Sequence, residues 1–290
     1  MNHTLASSHP FTLPCVRRAV AALGALALQP ALAVSVVPAT DLAQWVCAGH
    51  CGTSAAQGDI SLSPLASAAY GYVSTSGSEA LGTSPLALDA NSRGDGTENN
   101  GSRWASPAFS ANAGDQLDLR FNYVSTDGKG FDDYAWARVT DAGSGAVVSW
   151  LFTARSSNSS TGRIVPGDVL RREDFDPDVA IVDFDSYQFT SKTVDDPIDW
   201  SPLGFSNGTC WRDNAAGCGY TGWLHSQVSF ANPGDYRVEL GVVNWGDYAF
   251  DSGLAFDFAG LTAPVPEPAP ASLALLGAAT LMCFRWRAGR

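Results

Sequence analysis

Basic residues are scarce in this chain of 290 residues: 17 lysines and arginines stand against 29 acids, a formal charge of −12 at neutral pH. A surface of that sign repels nucleic acid and anionic membranes, which argues against both as partners of the folded part. Histidine is scarcer still, with four in all, and only His50 and His225 lie away from the N-terminus. A Ser–His–Asp triad would have to use His225, yet no G-x-S-x-G elbow is present. His225 shares a strand face with Trp223 and reads as a hydrogen-bonding residue, so no catalytic residue is assigned. The run Cys47–Cys51 spells C-A-G-H-C, which is neither a common zinc spacing nor the C-x-x-C-H of haem attachment. Helix formers are also few in the middle of the chain, where Gly, Ser, Thr, Asp and aromatics dominate.

Long apolar runs are confined to the two ends. Arg17 and Arg18 close a basic n-region, Ala19–Leu28 forms an apolar h-region, and Ala31-Leu32-Ala33 supplies a small–x–small cleavage pattern. Residues 1–33 therefore read as a secretory signal, with Val34 as the first mature residue. The apolar run is far shorter than the roughly 20 residues a spanning helix needs. At the other end, Val265-Pro266-Glu267-Pro268 precedes an apolar run over 271–284, followed by Arg285, Arg287 and Arg290 with no acid among them. The prolines stiffen an extended stalk, the apolar run enters the membrane, and the arginines stay on the cytoplasmic side. A helix over 271–284 reaches only about 21 Å against a hydrocarbon core of about 30 Å, which suits a transient stop-transfer element.

That order, from Val265 to Arg290, resembles the sorting signal of the PEP-CTERM family. In that family an exosortase, a membrane-embedded cysteine transpeptidase, recognises and cuts the tail. The hosts are typically Gram-negative bacteria that make extracellular polysaccharide and biofilm matrix. The resemblance implies export, membrane residence through the C-terminal helix before processing, and then display at the cell surface or release. An ordinary tail anchor would explain the helix and the arginines but not the Pro-Glu-Pro segment before them.

Between the signals lie residues 34–264, enough for one large β domain or two small ones. Removing both ends takes away five arginines and one glutamate, which moves the charge from −12 to about −16. The mature part keeps Cys47, Cys51, Cys210 and Cys218, an even set that points to disulfides in an oxidising compartment. Three connectivities are open, and the local bridges Cys47–Cys51 and Cys210–Cys218 are expected because each pair sits in a short Gly-containing loop.

Short alternating segments recur between turn signals, as in a sandwich or barrel. Strands are predicted over Gln44–Cys47, Tyr70–Ser74, Leu86–Leu88, Arg103–Phe109, Gln116–Tyr123, Tyr134–Thr140, Val147–Ala154, Gly222–Phe230, Gly234–Val243 and Gly253–Phe258. Two of them follow the related turns Asn112-Ala113-Gly114-Asp115 and Asn232-Pro233-Gly234-Asp235. Residues 158–199 break the alternation and read as a long acidic insertion. The segments Ser106–Asp115, Asp132–Val139, Leu151–Arg155, Gly217–Trp223 and Asn244–Gly260 resemble a group of PEP-CTERM proteins with a jelly-roll-like ectodomain and no established activity. The expected fold is a single all-β, jelly-roll-like sandwich.

Candidate sites are fewer. Asp174, Asp176 and Asp178 offer oxygen ligands, but an EF-hand loop would need Gly and Glu where Val179 and Asp185 stand. Asp247, Asp251 and Asp257 form a second candidate calcium set, with turn and surface roles as the competing reading. Trp200, Trp211 and Tyr220, in Gly-rich loops, are candidate glycan contacts, whereas Trp136, Trp150 and Trp223 are assigned to the core. The tripeptide Arg93-Gly94-Asp95 reads as part of a flexible turn. The expected role is that of a non-enzymatic surface or biofilm-matrix protein, structural or in contact with exopolysaccharide. A secreted carbohydrate-active enzyme using a carboxylate pair, such as Asp132/Asp133, Asp183/Asp185 or Asp195/Asp196, is the alternative.

Overall fold

The computed structural model describes residues 41–65, 67–86, 96–156, 190–212 and 217–263, all within the compact unit Val34–Pro264. The signal segments, most of the insertion, Arg93-Gly94-Asp95 and the Asp174–Asp178 run lie outside the described residues. Among the described residues no helix is long and apolar enough to cross a membrane.

Among the described residues thirteen strands form two antiparallel sheets. They are β1 (Val46–Ala48), β2 (His50–Ser54), β3 (Tyr70–Ser74), β4 (Glu98–Ala105), β5 (Phe109–Ala111), β6 (Gln116–Ser125), β7 (Tyr134–Asp141), β8 (Val147–Arg155), β9 (Thr190–Ser191), β10 (Gly219–Tyr220), β11 (Leu224–Ser229), β12 (Gly234–Trp245) and β13 (Ser252–Thr262). The first sheet runs β1-β4-β12-β7-β8, with β5 also on β12. The second runs β2-β3-β13-β6-β10-β9, with β11 also on β6. The chain changes sheet repeatedly, and three of these crossings, β3–β4, β6–β7 and β12–β13, meet at one end of the stack. At Gly49 it passes from β1 in one sheet to β2 in the other, and the Cys47–Cys51 disulfide closes that corner. Cys210–Cys218 is the second bridge, so both expected pairings are formed.

The inter-sheet core follows the period of two read from the sequence. Leu117, Leu119, Phe121 and Tyr123 of β6 face Val238, Leu240 and Val242 of β12, and all are fully buried. Strand β7 corrects the sequence reading. Its inner face is Ala135, Ala137 and Val139, while Tyr134 and Trp136 form a separate cluster with Val243 on the outer face. The small inner residues leave room for the stacked rings of Phe121 and Phe152, 5.2 Å apart. Trp136 is buried outside the sheet because Thr83 O accepts from its indole N–H at 3.0 Å. Trp150 lies on the same outer face, where the Arg138 guanidinium sits 5.2 Å from the Trp136 ring and 5.7 Å from the Trp150 ring. The tryptophans between the sheets are instead Trp45 and Trp104, packed on Phe256.

The second sheet also has a covered outer face. Tyr70, Val124, Trp223 and Ala255 are buried there beneath Ile60, Ile198, Trp200 and Leu203. Asp59 ties this cover down, donating from its N–H to Asp199 O and accepting from Asp199 N–H, each at 2.8 Å. The end of the predicted insertion is therefore part of the folded body, and Thr190–Ser191 adds strand β9 to the sheet edge. The predicted strand at Leu86–Leu88 begins at a residue that is not in a strand, and its other two residues lie outside the described ones.

Candidate functional site

At one end of the stack the inward-facing positions turn polar. Continuing the β6 period past Phe121 and Tyr123 brings Ser125 and then Asp127 inward, and the β7 period run backwards from Ala135 brings Asp133 inward. On β12 the position after Val242 in the same series is Asn244, and the register sets it against Asn100 of β4. Ser252 starts β13 opposite Ser125.

These groups are bonded across the sheets. Ser252 Oγ is 2.9 Å from both Asp133 Oδ2 and Ser125 Oγ. Tyr123 donates its phenolic proton to Asp133 O at 3.0 Å, and Trp245 N–H donates to Asp133 Oδ1 at 2.9 Å. Asn100 donates from Nδ2 to Thr75 O and Ser78 O, at 2.7 and 3.0 Å. Asp127 Oδ1 accepts from Gly128 N–H at 2.7 Å. Four atoms of these groups are left over: Asp127 Oδ2, Asn100 Oδ1, and both Oδ1 and Nδ2 of Asn244 are buried without a hydrogen-bond partner. Such orphans are uncommon because each forfeits its hydration.

Burial pushes the Asp133 carboxyl well above the usual carboxylate range, and the charges of Asp247 and Asp251 at the mouth push it further. Asp127 is raised in the same way, first by burial and then by Asp133 and Asp247. Taking charge out of water without a cation is costly, so burial favours the protonated form of both carboxyls. Burial also raises the Tyr123 hydroxyl, with Asp133 beside it.

Loops from both sheets roof this end. Asp251 accepts from Thr75 Oγ1 at 2.9 Å and from Ser206 Oγ at 2.7 Å, joining the β3–β4, 200–212 and β12–β13 loops. Phe250, immediately before it, holds a positive φ of 62°, a conformation that a bulky residue adopts only under local constraint. Trp211 covers Gly128, donates its N–H to Thr126 O at 2.8 Å, and meets Phe131 edge-on at 5.5 Å. Two aromatics stand clear of the fold on these loops: Phe205 is fully exposed and Tyr248 is 71% exposed.

The residues singled out in the sequence are distributed unevenly. Trp200 is not available to a sugar: it is fully buried, lies against Gly253 and donates its indole proton to Tyr70 Oη at 2.8 Å. Tyr220 packs against the same outer cluster, and Trp211 is half-buried, so the three do not form one open platform. Asp257 accepts from Ser63 and lies on the outer face of the second sheet. It lies five positions along the extended strand from Ser252, so the set Asp247, Asp251 and Asp257 is not brought together. Among the described residues no group of three histidine, cysteine or acidic side chains has the geometry to hold a metal. Asp132 and Asp133 point to opposite faces, Asp132 facing Arg155 at 3.8 Å. Asp196 pairs with Lys192, and Asp183 and Asp185 lie outside the described residues. His225 bonds Asp118 at 2.6 Å across the β11–β6 pair. The sorting residues Val265, Pro266, Glu267, Pro268, Arg285, Arg287 and Arg290 also lie outside the described part. Comparison of the chain with protein-family models and with curated proteins gives no match.

Proposed function

We propose that this chain is an exported, non-enzymatic protein of the bacterial cell surface or biofilm matrix, sorted by an exosortase and contacting exopolysaccharide through the loops at the polar end of its sandwich. The Pro-Glu-Pro-led tail supports the sorting route, and two formed disulfides suit an oxidising compartment. The jelly-roll-like reading rests on strand order: β4-β12-β7-β8 in one sheet and β3-β13-β6-β11 in the other, with the chain alternating between them.

One observation carries the glycan contact. Phe205 and Tyr248 are exposed on neighbouring loops held together by the Ser206–Asp251 hydrogen bond. An exposed aromatic face on a fixed loop is the kind of surface on which a sugar ring stacks. The enzyme reading has less support, since Asp132 and Asp133 serve opposite faces of a sheet and so do not flank a groove. The test is binding of the full, disulfide-formed chain to immobilised glycans and to host exopolysaccharide. Saturable binding that falls at least about tenfold in a Phe205→Ala/Tyr248→Ala double variant, with unchanged thermal unfolding, is expected. Absence of binding, or binding indifferent to both substitutions, overturns it.

A further inference from the structure

We propose that the polar end of the sandwich is a calcium site, in which Asp127 from one sheet and Asp133 from the other supply carboxylate oxygens, and Asn100 and Asn244, beside Asp133, supply amide oxygens. This goes beyond the glycan reading and does not depend on it. It also differs from the set anticipated in the sequence, since Asp257 is remote from it.

The register makes the placement. Asn244 pairs with Asn100 across β12 and β4, and the neighbouring pair Val243–Tyr134 puts Asp133 next to Asn244 on the other side. Three oxygen-bearing side chains thus sit side by side on the inner face of one sheet. Asp127, Ser125 and Ser252 oppose them from the other. The independent sign of a ligand is the set of unpartnered atoms. Asp127 Oδ2, Asn100 Oδ1 and both amide atoms of Asn244 have no hydrogen-bond partner, in residues 1%, 5% and 0% exposed. Asn100 Oδ1 and Asn244 Oδ1 are acceptors, and the carboxyls of Asp127 and Asp133 become acceptors when a cation displaces their protons. A concentration of buried acceptors is what a hard cation satisfies and what a further protein donor does not.

Charge agrees with geometry. Among the described residues neither Asp127 nor Asp133 has an ion-pair partner, and the other ionisable groups acting on them are Tyr123, Asp247 and Asp251. Two carboxylates balance one divalent ion. The mixed carboxylate, amide and hydroxyl donors favour calcium, whose six to eight ligands tolerate irregular geometry, over magnesium, which keeps several waters. A cation here would fasten β4, β7 and β12 to β6 and hold the roof loops in register.

The test uses the full chain, disulfides intact, stripped with chelator and titrated calorimetrically with calcium chloride or magnesium chloride. The site predicts one calcium per chain, a rise in unfolding temperature in calcium, and a smaller or absent rise in equal magnesium. Asp127→Asn keeps the size of the side chain and its neutral state in the chelated protein. It should retain the near-ultraviolet circular dichroism of the parent while losing roughly a hundredfold or more in calcium affinity. Asn244→Ala, which removes a neutral ligand, should weaken calcium binding in the same direction and serves if the first variant does not fold. Asp257→Asn should leave binding unchanged. A folded parent with neither heat nor a thermal shift in calcium overturns the proposal. So does full calcium affinity in a folded Asp127→Asn or Asn244→Ala protein.

Discussion

Ser252 Oγ lies 2.9 Å from Asp133 Oδ2, and this contact joins the first residue of β13 in one sheet to the residue that leads into β7 in the other. Both residues are fully or almost fully buried, so the contact is shielded from water at the place where the hydrophobic core gives way to polar side chains. Ser252→Ala removes the partner of Asp133 Oδ2 and of Ser125 Oγ without opening a large cavity. The expected loss is about 1–3 kcal/mol, the cost of leaving a buried polar atom unsatisfied, read as a lower denaturant midpoint with an unchanged slope.

The buried carboxyls give the metal-free protein an unusual pH dependence. Asp127 is raised in the folded state to about 10, against 3.8 for the unconstrained side chain. The fold therefore binds a proton that the unfolded chain releases, and stability falls as pH rises between those values. The slope is at most about 1.4 kcal/mol per pH unit for one such group. Unfolding measured in chelator should show a higher midpoint at pH 5 than at pH 9, and Asp127→Asn should reduce the difference, leaving the share of Asp133.

Gly49 marks the crossing from β1 to β2 with a φ of 97°, and an added Cβ would lie 2.8 Å from Gly101 O. An L side chain is strained in that conformation and would also push β4 away. Gly49→Ala should cost at least about 1–3 kcal/mol from backbone strain alone, measured by thermal or denaturant unfolding of the oxidised protein.

Trp200 is a structural residue of the outer layer. Trp200→Ala removes the ring that covers Gly253 and leaves Tyr70 Oη without its donor, at an expected cost of about 3–5 kcal/mol in unfolding free energy. Phe205→Ala, at a fully exposed position, should change stability by less than about 0.5 kcal/mol.

The β framework was legible because β6 and β12 carry a clean period of two, and both strands lie where Gln116–Tyr123 and Gly234–Val243 predicted them. Strand β2 was not, because His50-Cys51-Gly52-Thr53-Ser54 offers no apolar alternation to read. The β7 tryptophan was assigned to the wrong side by its size: the sheet buries alanine between its layers and tryptophan outside, under a segment that sequence pattern does not connect to it. The polar end was hidden by composition. In an acidic chain Asp127, Asp132 and Asp133 look like solvent-facing turn residues. A signal was present, since carrying the alternation of β6 on to Asp127 and of β7 back to Asp133 puts both on the core face. Trp200 was misplaced because its Gly-rich surroundings suggest an open loop, whereas hydrogen bonds to Asp59 and Gln57, 140 and 144 residues away in sequence, fold that loop down.

Export and trimming at both ends are tested directly by intact-mass and terminal-peptide mass spectrometry of the chain recovered from envelope and extracellular fractions of cells that produce it. The expected chain begins at Val34, ends near Val265–Pro268 without Arg285, Arg287 and Arg290, and carries both disulfides. A full-length chain with reduced cysteines, confined to the cytoplasm, would contradict it.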